Sequence, residues 1–163
     1  KVRHFGVSNQ NPMMMELLKT AVKQPLKVNQ LQLSAAFTPS FEAGFHVNME
    51  GPKAAVRDGS VFEYCRLTDT VIQAWSVLQH GYFKGNFVGK EEFAALNHVL
   101  TDLAKKYQVT PTAIALAWVL RYPGKMQAVI GTTKPQHVLE AGKAAKVNLT
   151  RKEWYQIDRK SVV

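Results

Sequence analysis

The chain has 163 residues, a net charge of +9, and 46% hydrophobic against 20% charged residues, the balance of one globular domain with a core of its own. A mean hydropathy of −0.17, with no apolar run near the ~20 residues a membrane helix needs, excludes a membrane-spanning helix. The single Cys65 excludes an internal disulfide framework and fits a reducing, cytoplasmic setting.

The positive charge invites a nucleic-acid partner. The Lys and Arg residues are spread along the chain, however, with only short pairs such as Lys105-Lys106 and Arg151-Lys152, so no nucleic-acid surface is expected. A phosphorylated cofactor is another anionic partner, and it needs only a few of these charges.

In chain order, Lys1–Asn9 reads as a buried strand, Val2–Val7, ending in the polar pair Ser8-Asn9. Nothing precedes the strand to cap it, so the chain is expected to be a piece of a larger protein. Asn11-Pro12 is a helix start, followed by Met14, Leu17, Leu18 and Ala21 on one apolar face. A second strand, Val28–Leu33, leads into an irregular stretch from Ser34 to about Gly59, and a short helix is expected over Ser60–Leu67. A third strand, Val71–Ser76, precedes a loop punctuated by Gly81, Gly85 and Gly89. A strong helix over Lys90–Tyr107 carries Phe93, Leu96, Leu100, Leu103 and Tyr107 on one face. Thr110-Pro111 starts the next helix, with Ile114, Ala117 and Trp118. A fourth strand, Gln127–Ile130, is followed by a helix from Pro135 to about Ala145. Thr150-Arg151-Lys152-Glu153 is a capping box ahead of Trp154 and Ile157.

Apolar strands alternating with helices predict an α/β fold with a parallel sheet. No Gly-x-Gly-x-x-Gly follows any strand, so the usual fingerprint of an open dinucleotide-binding sheet is absent. A small open sheet and four consecutive βα units of a (β/α)8 barrel both remain. A full barrel needs about 250 residues.

The strand ends carry the chemistry. In a parallel barrel, function sits at the C-terminal face. Here that face would hold Ser8-Asn9, Trp75-Ser76 and Gly131-Thr132-Thr133, with Gln30 inside the second strand. Amides and hydroxyls can hold a carboxamide; Trp75 can offer a flat face to a ring. Gly131-Thr132-Thr133-Lys134-Pro135 is a loop entering a helix, a plausible phosphate cradle. Each has a plainer reading: Ser8-Asn9 and the two threonines as helix caps, Gln30 as a satisfied core amide, Trp75 as core. Their joint placement at successive strand ends favours a site.

Acid–base candidates are few. His4 lies within the first strand, and His46, His80 and His98 have no paired Asp or Glu in a recognisable arrangement. Cys65 lacks a helix-start or basic-cluster setting and reads as an inert thiol. No metal-ligand spacing occurs.

Val2–Asn9, Val28-Asn29-Gln30-Leu31, Ile72-Gln73-Ala74-Trp75-Ser76, Thr110–Trp118 and Val129–Pro135 together resemble the aldo-keto reductases, in order and at family spacing over essentially the whole chain. The resemblance is strongest to the bacterial branch of general oxidoreductases. It implies a single partial domain over 1–163, the C-terminal half of a (β/α)8 barrel from about its fifth to its eighth strand. It further implies binding of NADP(H), with NAD(H) left open, and reduction of aldehydes and ketones to alcohols.

By this resemblance Ser8, Asn9 and Gln30 hold the nicotinamide carboxamide, and Trp75 stacks on the ring where many members have Tyr. Ser76 and the loop from Leu78 clasp the pyrophosphate. Gly131, Thr132, Thr133 and His137 lie by the adenosine phosphate, and Glu140 meets the adenine. Many members place Lys where Gly131 stands and Arg where His137 stands, cations that favour the 2′-phosphate; Lys134 offsets this in part. Val77 replaces a frequent Pro, and Ala141 a frequent Asn. The family's Asp, Tyr, Lys and His tetrad has no counterpart motif in these residues. The resemblance therefore implies a chain that holds the cofactor without catalysing alone. Its expected partners are a small carbonyl substrate in the full-length protein and the barrel's other half, or a second copy joined through open barrel edges.

Overall fold

The structure, a computed structural model, describes residues 2–39, 60–81 and 84–161. Most of the irregular stretch after the second strand, including His46, and the centre of the glycine-punctuated loop lie outside the described residues.

Four strands form one parallel sheet in the order β1-β2-β3-β4: β1 Phe5–Ser8, β2 Leu26–Gln32, β3 Val71–Trp75 and β4 Met126–Ala128. The helices between and after them are α1 Pro12–Ala21, α2 Val61–Leu67, α3 Ala94–Tyr107, α4 Pro111–Leu120, α5 Pro135–Gly142 and α6 Arg151–Ser161. Among the described residues no helix is long and apolar enough to cross a membrane.

The helix starts follow the expected chemistry. Asn11 accepts from the Met14 amide at 2.9 Å, and Thr110 from the Ala113 amide at 3.2 Å, each ahead of a proline at the first helical position. The capping box closes both ways: Glu153 N donates to Thr150 Oγ1 at 3.3 Å, and Thr150 N to Glu153 Oε2 at 2.8 Å.

Helix α4 is the centre of the core. Ala113 through Val119 are all buried, as in a helix enclosed on every side. Trp118 stacks on Trp154 at 5.1 Å and 7°, and the Trp154 indole donates to the Trp118 carbonyl at 3.0 Å. This fixes α6 against α4. Leu31, Leu33, Ile72 and Ala74 enter the same core from the sheet. Strand alternation then turns Val28, Gln30, Val71, Gln73 and Trp75 to the opposite face, where they are only half-buried.

Several elements differ from expectation. The first strand runs Phe5–Ser8 rather than Val2–Val7, so His4 lies outside it, and it is mostly exposed rather than buried. Among the described residues it pairs on one side only, as a sheet edge. The expected apolar stripe of α1 also fails to pack: Met14 and Leu17 are exposed, and Met15 is the buried residue, held beside Asn29. Strand β4 ends two residues early, although Val129 N still donates to Ala74 O at 2.8 Å. The helix before Tyr107 opens with a 3-10 turn, Glu91–Phe93, and the helix after Pro135 tightens into another at Lys143–Lys146.

Candidate functional site

The site is built on the C-terminal ends of the strands, where parallel pairing brings four loops to one side. At the end of β1, Asn9 adopts a left-handed backbone (φ 55°). Its amide donates to Gln30 O at 3.0 Å, and Ser8 Oγ donates to the same carbonyl at 3.2 Å. Buried Asn29 fixes this corner from below by donating to Gln10 O at 2.8 Å. The role of Asn29 depends on a contact made only after the turn folds, so the strand motif that contains it does not reveal it.

At the end of β3, Trp75 is half-buried on the face away from the helices, and Ser76 is again left-handed (φ 53°). Asn9 and Ser76 are two of five described non-glycine residues with positive φ; the others, Ser60, Asp69 and Gln108, lie away from these strand ends. The following loop doubles back: Gln79 N donates to Ser76 O at 2.8 Å and Phe87 N to Leu78 O at 3.0 Å, while Val77 is buried beneath. Ser34 Oγ bonds Gln79 O, tying this arm to the end of β2.

At the end of β4, Gly131 opens a loop with nothing within 4 Å of the place a Cβ would occupy. Thr132 Oγ1 accepts from Lys134 N at 3.2 Å and lies 3.3 Å from His137 Nδ1. Lys134 is the N-cap of α5 but gives no side-chain cap, so the first-turn amides of that helix take none from it. Glu140 accepts from Gln136 at 3.2 Å.

These last two strand ends enclose a cleft of about 560 Å³. Trp75, Ser76, Leu78, Gly131, Thr132, His137 and Glu140 all line it, together with Gln79, Asn86 and Thr112. Ser8, Asn9 and Gln30 stand together at the β1–β2 end, outside the cleft. Thr133 is exposed and outside the cleft.

The acid–base groups need one correction. His80 lies 3.6 Å from Glu92, and His98 lies 3.2 Å from Asp102 one helical turn on, so each has a carboxylate beside it. The second pair is largely exposed on α3, and its i,i+4 spacing was the signal that could have found it. Neither pair lines the cleft. Cys65 is buried, and burial pushes its thiol up to about 11 against a weaker pull from Asn29. Glu153 has the opposite fate. Burial raises it, but hydrogen bonds from Lys106, Thr150 and Tyr107 overcome that and hold it at about 2.

The chain belongs to the Aldo/keto reductase family, which it matches over residues 1–162. It is 31% identical to a 6-dehydroglucose reductase of Agrobacterium fabrum over 158 residues, covering 96% of this chain and 46% of that protein. It is 28% identical to the oxidoreductase YdhF of Escherichia coli, over the same shares of the two chains. In fold it is similar to an aldo-keto reductase from Klebsiella pneumoniae solved in complex with NADPH, at TM-score 0.70 and 20% identity, covering 98% of this chain and 48% of that one. A thermostable aldo-keto reductase, Tm1743, gives TM-score 0.68 at 20% identity, covering 97% and 48%. The chain thus spans about half the length of the relatives it matches, and its four parallel strands alternating with helices correspond to about half of their (β/α)8 barrel.

Proposed function

We propose that the chain is the C-terminal, cofactor-holding part of an NADP(H)-dependent oxidoreductase that reduces aldehydes or ketones to alcohols. The observation that carries this reading is the cleft between the β3 and β4 ends, which gathers an indole face, hydroxyls and the start of a helix.

The residues present fit a nicotinamide dinucleotide. Gln30 Oε1 takes no hydrogen bond among the described residues, so an acceptor stands ready for a carboxamide N–H. Asn9 offers an amide beside it, and Trp75 a flat apolar face on the next strand but one. Ser76 and the loop at Leu78 would take the pyrophosphate. The start of α5, with Thr132, Thr133 and the Lys134 cation, would take the adenosine phosphate through that charge, the hydroxyls and the helix dipole. Glu140, half-buried on the same helix, would accept from the adenine amino group. Gly131 and His137 leave the 2′-phosphate without the two cations common in the family, so NAD(H) stays within reach of this site.

When bound, NADP(H) supplies the hydride for carbonyl reduction. The chain's own residues bind and orient; the proton for the developing alkoxide would come, as in the family, from a Tyr tuned by Lys and His on the other half of the barrel. The 163-residue polypeptide is therefore expected to bind NADPH weakly and to catalyse nothing by itself. Titrating its tryptophan fluorescence with NADPH, then assaying carbonyl-dependent NADPH oxidation, tests both statements. Saturable quenching without turnover is expected; clear turnover, or no binding, contradicts the reading.

A second reading is a non-enzymatic half barrel that assembles with another half or with itself. Exposed apolar residues favour it: Met13 and Leu17 on α1, Val138 and Leu139 on α5, at opposite ends of a sheet whose β1 and β4 edges are unpaired among the described residues. Sedimentation should show association. A stable monodisperse monomer counts against it.

A further inference from the structure

We propose that Gln73 and Gln127 are positioning residues for the cofactor's carboxamide, acting through Gln30. This rests on the cofactor reading above and extends it to residues that touch no ligand.

The parallel register places Gln30 opposite Gln73, and Gln73 opposite Gln127, in one row across β2, β3 and β4. The row lies on the sheet face turned away from the helical core, because Leu31, Ile72 and Ala74 alternate with it into that core. In a parallel barrel this face is ordinarily filled by branched apolar side chains, so three amides in register call for a reason other than packing.

The amides are hydrogen-bonded in one direction. Gln30 Nε2 donates to Gln73 Oε1 at 3.4 Å, and Gln73 Nε2 donates to Gln127 Oε1 at 2.9 Å. Each amide therefore presents nitrogen toward β4 and oxygen toward β1. At the β1 end of the row, Gln30 has its nitrogen engaged, while its oxygen takes no hydrogen bond among the described residues.

A lone glutamine amide can turn over and offer either end to a ligand. Only one end suits a carboxamide N–H donor. With Gln73 Oε1 holding the Gln30 nitrogen, the Gln30 oxygen is fixed outward, and hydrogen bonds in series polarise one another in the same sense. The carboxamide oxygen then needs a donor of its own. Ser8 Oγ already donates to Gln30 O, whereas the Asn9 side chain carries no hydrogen bond among the described residues and stands on the neighbouring strand end. Row and corner together define one orientation of the carboxamide, and hence which face of the ring would be turned to a substrate.

The test compares the Kd of NADPH with that of its 3-acetylpyridine analogue, in which a methyl group replaces the carboxamide NH2. Both are titrated against the 163-residue chain and against Gln73→Leu, Gln73→Glu and Gln127→Leu. The parent chain should prefer NADPH by about tenfold, the factor one engaged hydrogen bond is worth. Gln73→Leu should reduce that preference to about threefold or less, chiefly by weakening NADPH. Gln73→Glu keeps the acceptor that holds the Gln30 nitrogen, so it should retain the preference even if its charge weakens both ligands alike. Gln127→Leu, at the exposed end of the row, should give an intermediate ratio and serves if Gln73→Leu does not fold. A merely structural row would change both affinities together and leave the ratio unmoved. NADPH binding with an unchanged ratio in the Leu variants, or with no preference in the parent, overturns the proposal alone; absence of NADPH binding overturns the cofactor reading beneath it.

Discussion

Glu153 joins α6 to α3, and its removal has a calculable cost. Its carboxylate accepts from Thr150 N at 2.8 Å, Thr150 Oγ1 at 2.7 Å and Tyr107 Oη at 2.9 Å, and it pairs with Lys106 Nζ. The perturbation is Glu153→Gln, which keeps shape and one acceptor oxygen and removes the charge. A carboxyl held at about 2, against its ordinary 4.5, corresponds to roughly 3 kcal/mol in favour of the charged form. Lys106 is open to solvent, and screening at that end brings the expected loss to about 2 kcal/mol. For a domain of this size that lowers the Tm by about 4–8 °C. The pH dependence follows from the lowered pKa. A carboxyl whose folded pKa lies below its unfolded one stabilises above the unfolded value, and loses that contribution as pH falls through the folded value. The gap between parent and variant should therefore be nearly full above about pH 5, less than half by about pH 3, and gone only below about pH 2. Urea midpoints at pH 7, 5 and 3 measure it. A gap that stays constant across this range, or no gap at pH 7, refutes the charge-based argument.

Three further outcomes follow from named contacts. Gly6→Ala places a Cβ 2.8 Å from Val28 Cβ and 3.0 Å from Val28 O, across the β1–β2 pair; denaturant unfolding should show a loss of about 1–3 kcal/mol. The native Cys65 thiol, buried and raised to about 11, should resist a thiol reagent at pH 8 and react at once when unfolded in urea; prompt labelling of the native chain contradicts the burial. Gly131→Lys meets nothing within 4 Å, so stability should be unchanged, while affinity for NADPH relative to NADH should rise several-fold by titration.

The sequence made the alternation of strands and helices legible because strand runs, proline starts and caps are local signals. Asn11, Thr110 and the Thr150–Glu153 box behave as their chemistry dictates. Trp75, Ser76, Gly131 and Thr132, expected at a site from strand-end placement, line one cleft with Leu78, His137 and Glu140, which the family resemblance supplied. What escaped was decided by neighbours. Whether the first strand is buried depends on what lies beside its free edge, and periodicity along the strand carries no information on that. Met15 rather than Met14 is buried because Asn29 on β2 donates to Met15 Sδ as well as to Gln10 O, which sets how α1 meets the sheet. The left-handed turns at Asn9 and Ser76 carry no glycine to announce them. The Gln30–Gln73–Gln127 row emerges only once the register is known, since 43 and 54 residues separate its successive members.

The proposed binding of a nicotinamide dinucleotide at the strand ends is open to a single measurement, an amide and indole NMR spectrum of the 163-residue chain recorded with and without NADP+. Shifts should concentrate at the Trp75 indole, the Ser76–Leu78 amides and the Gly131–His137 segment, with smaller shifts at Ser8, Asn9 and Gln30. Shifts confined to other surfaces, such as the basic face of α6, or none at all, would contradict it.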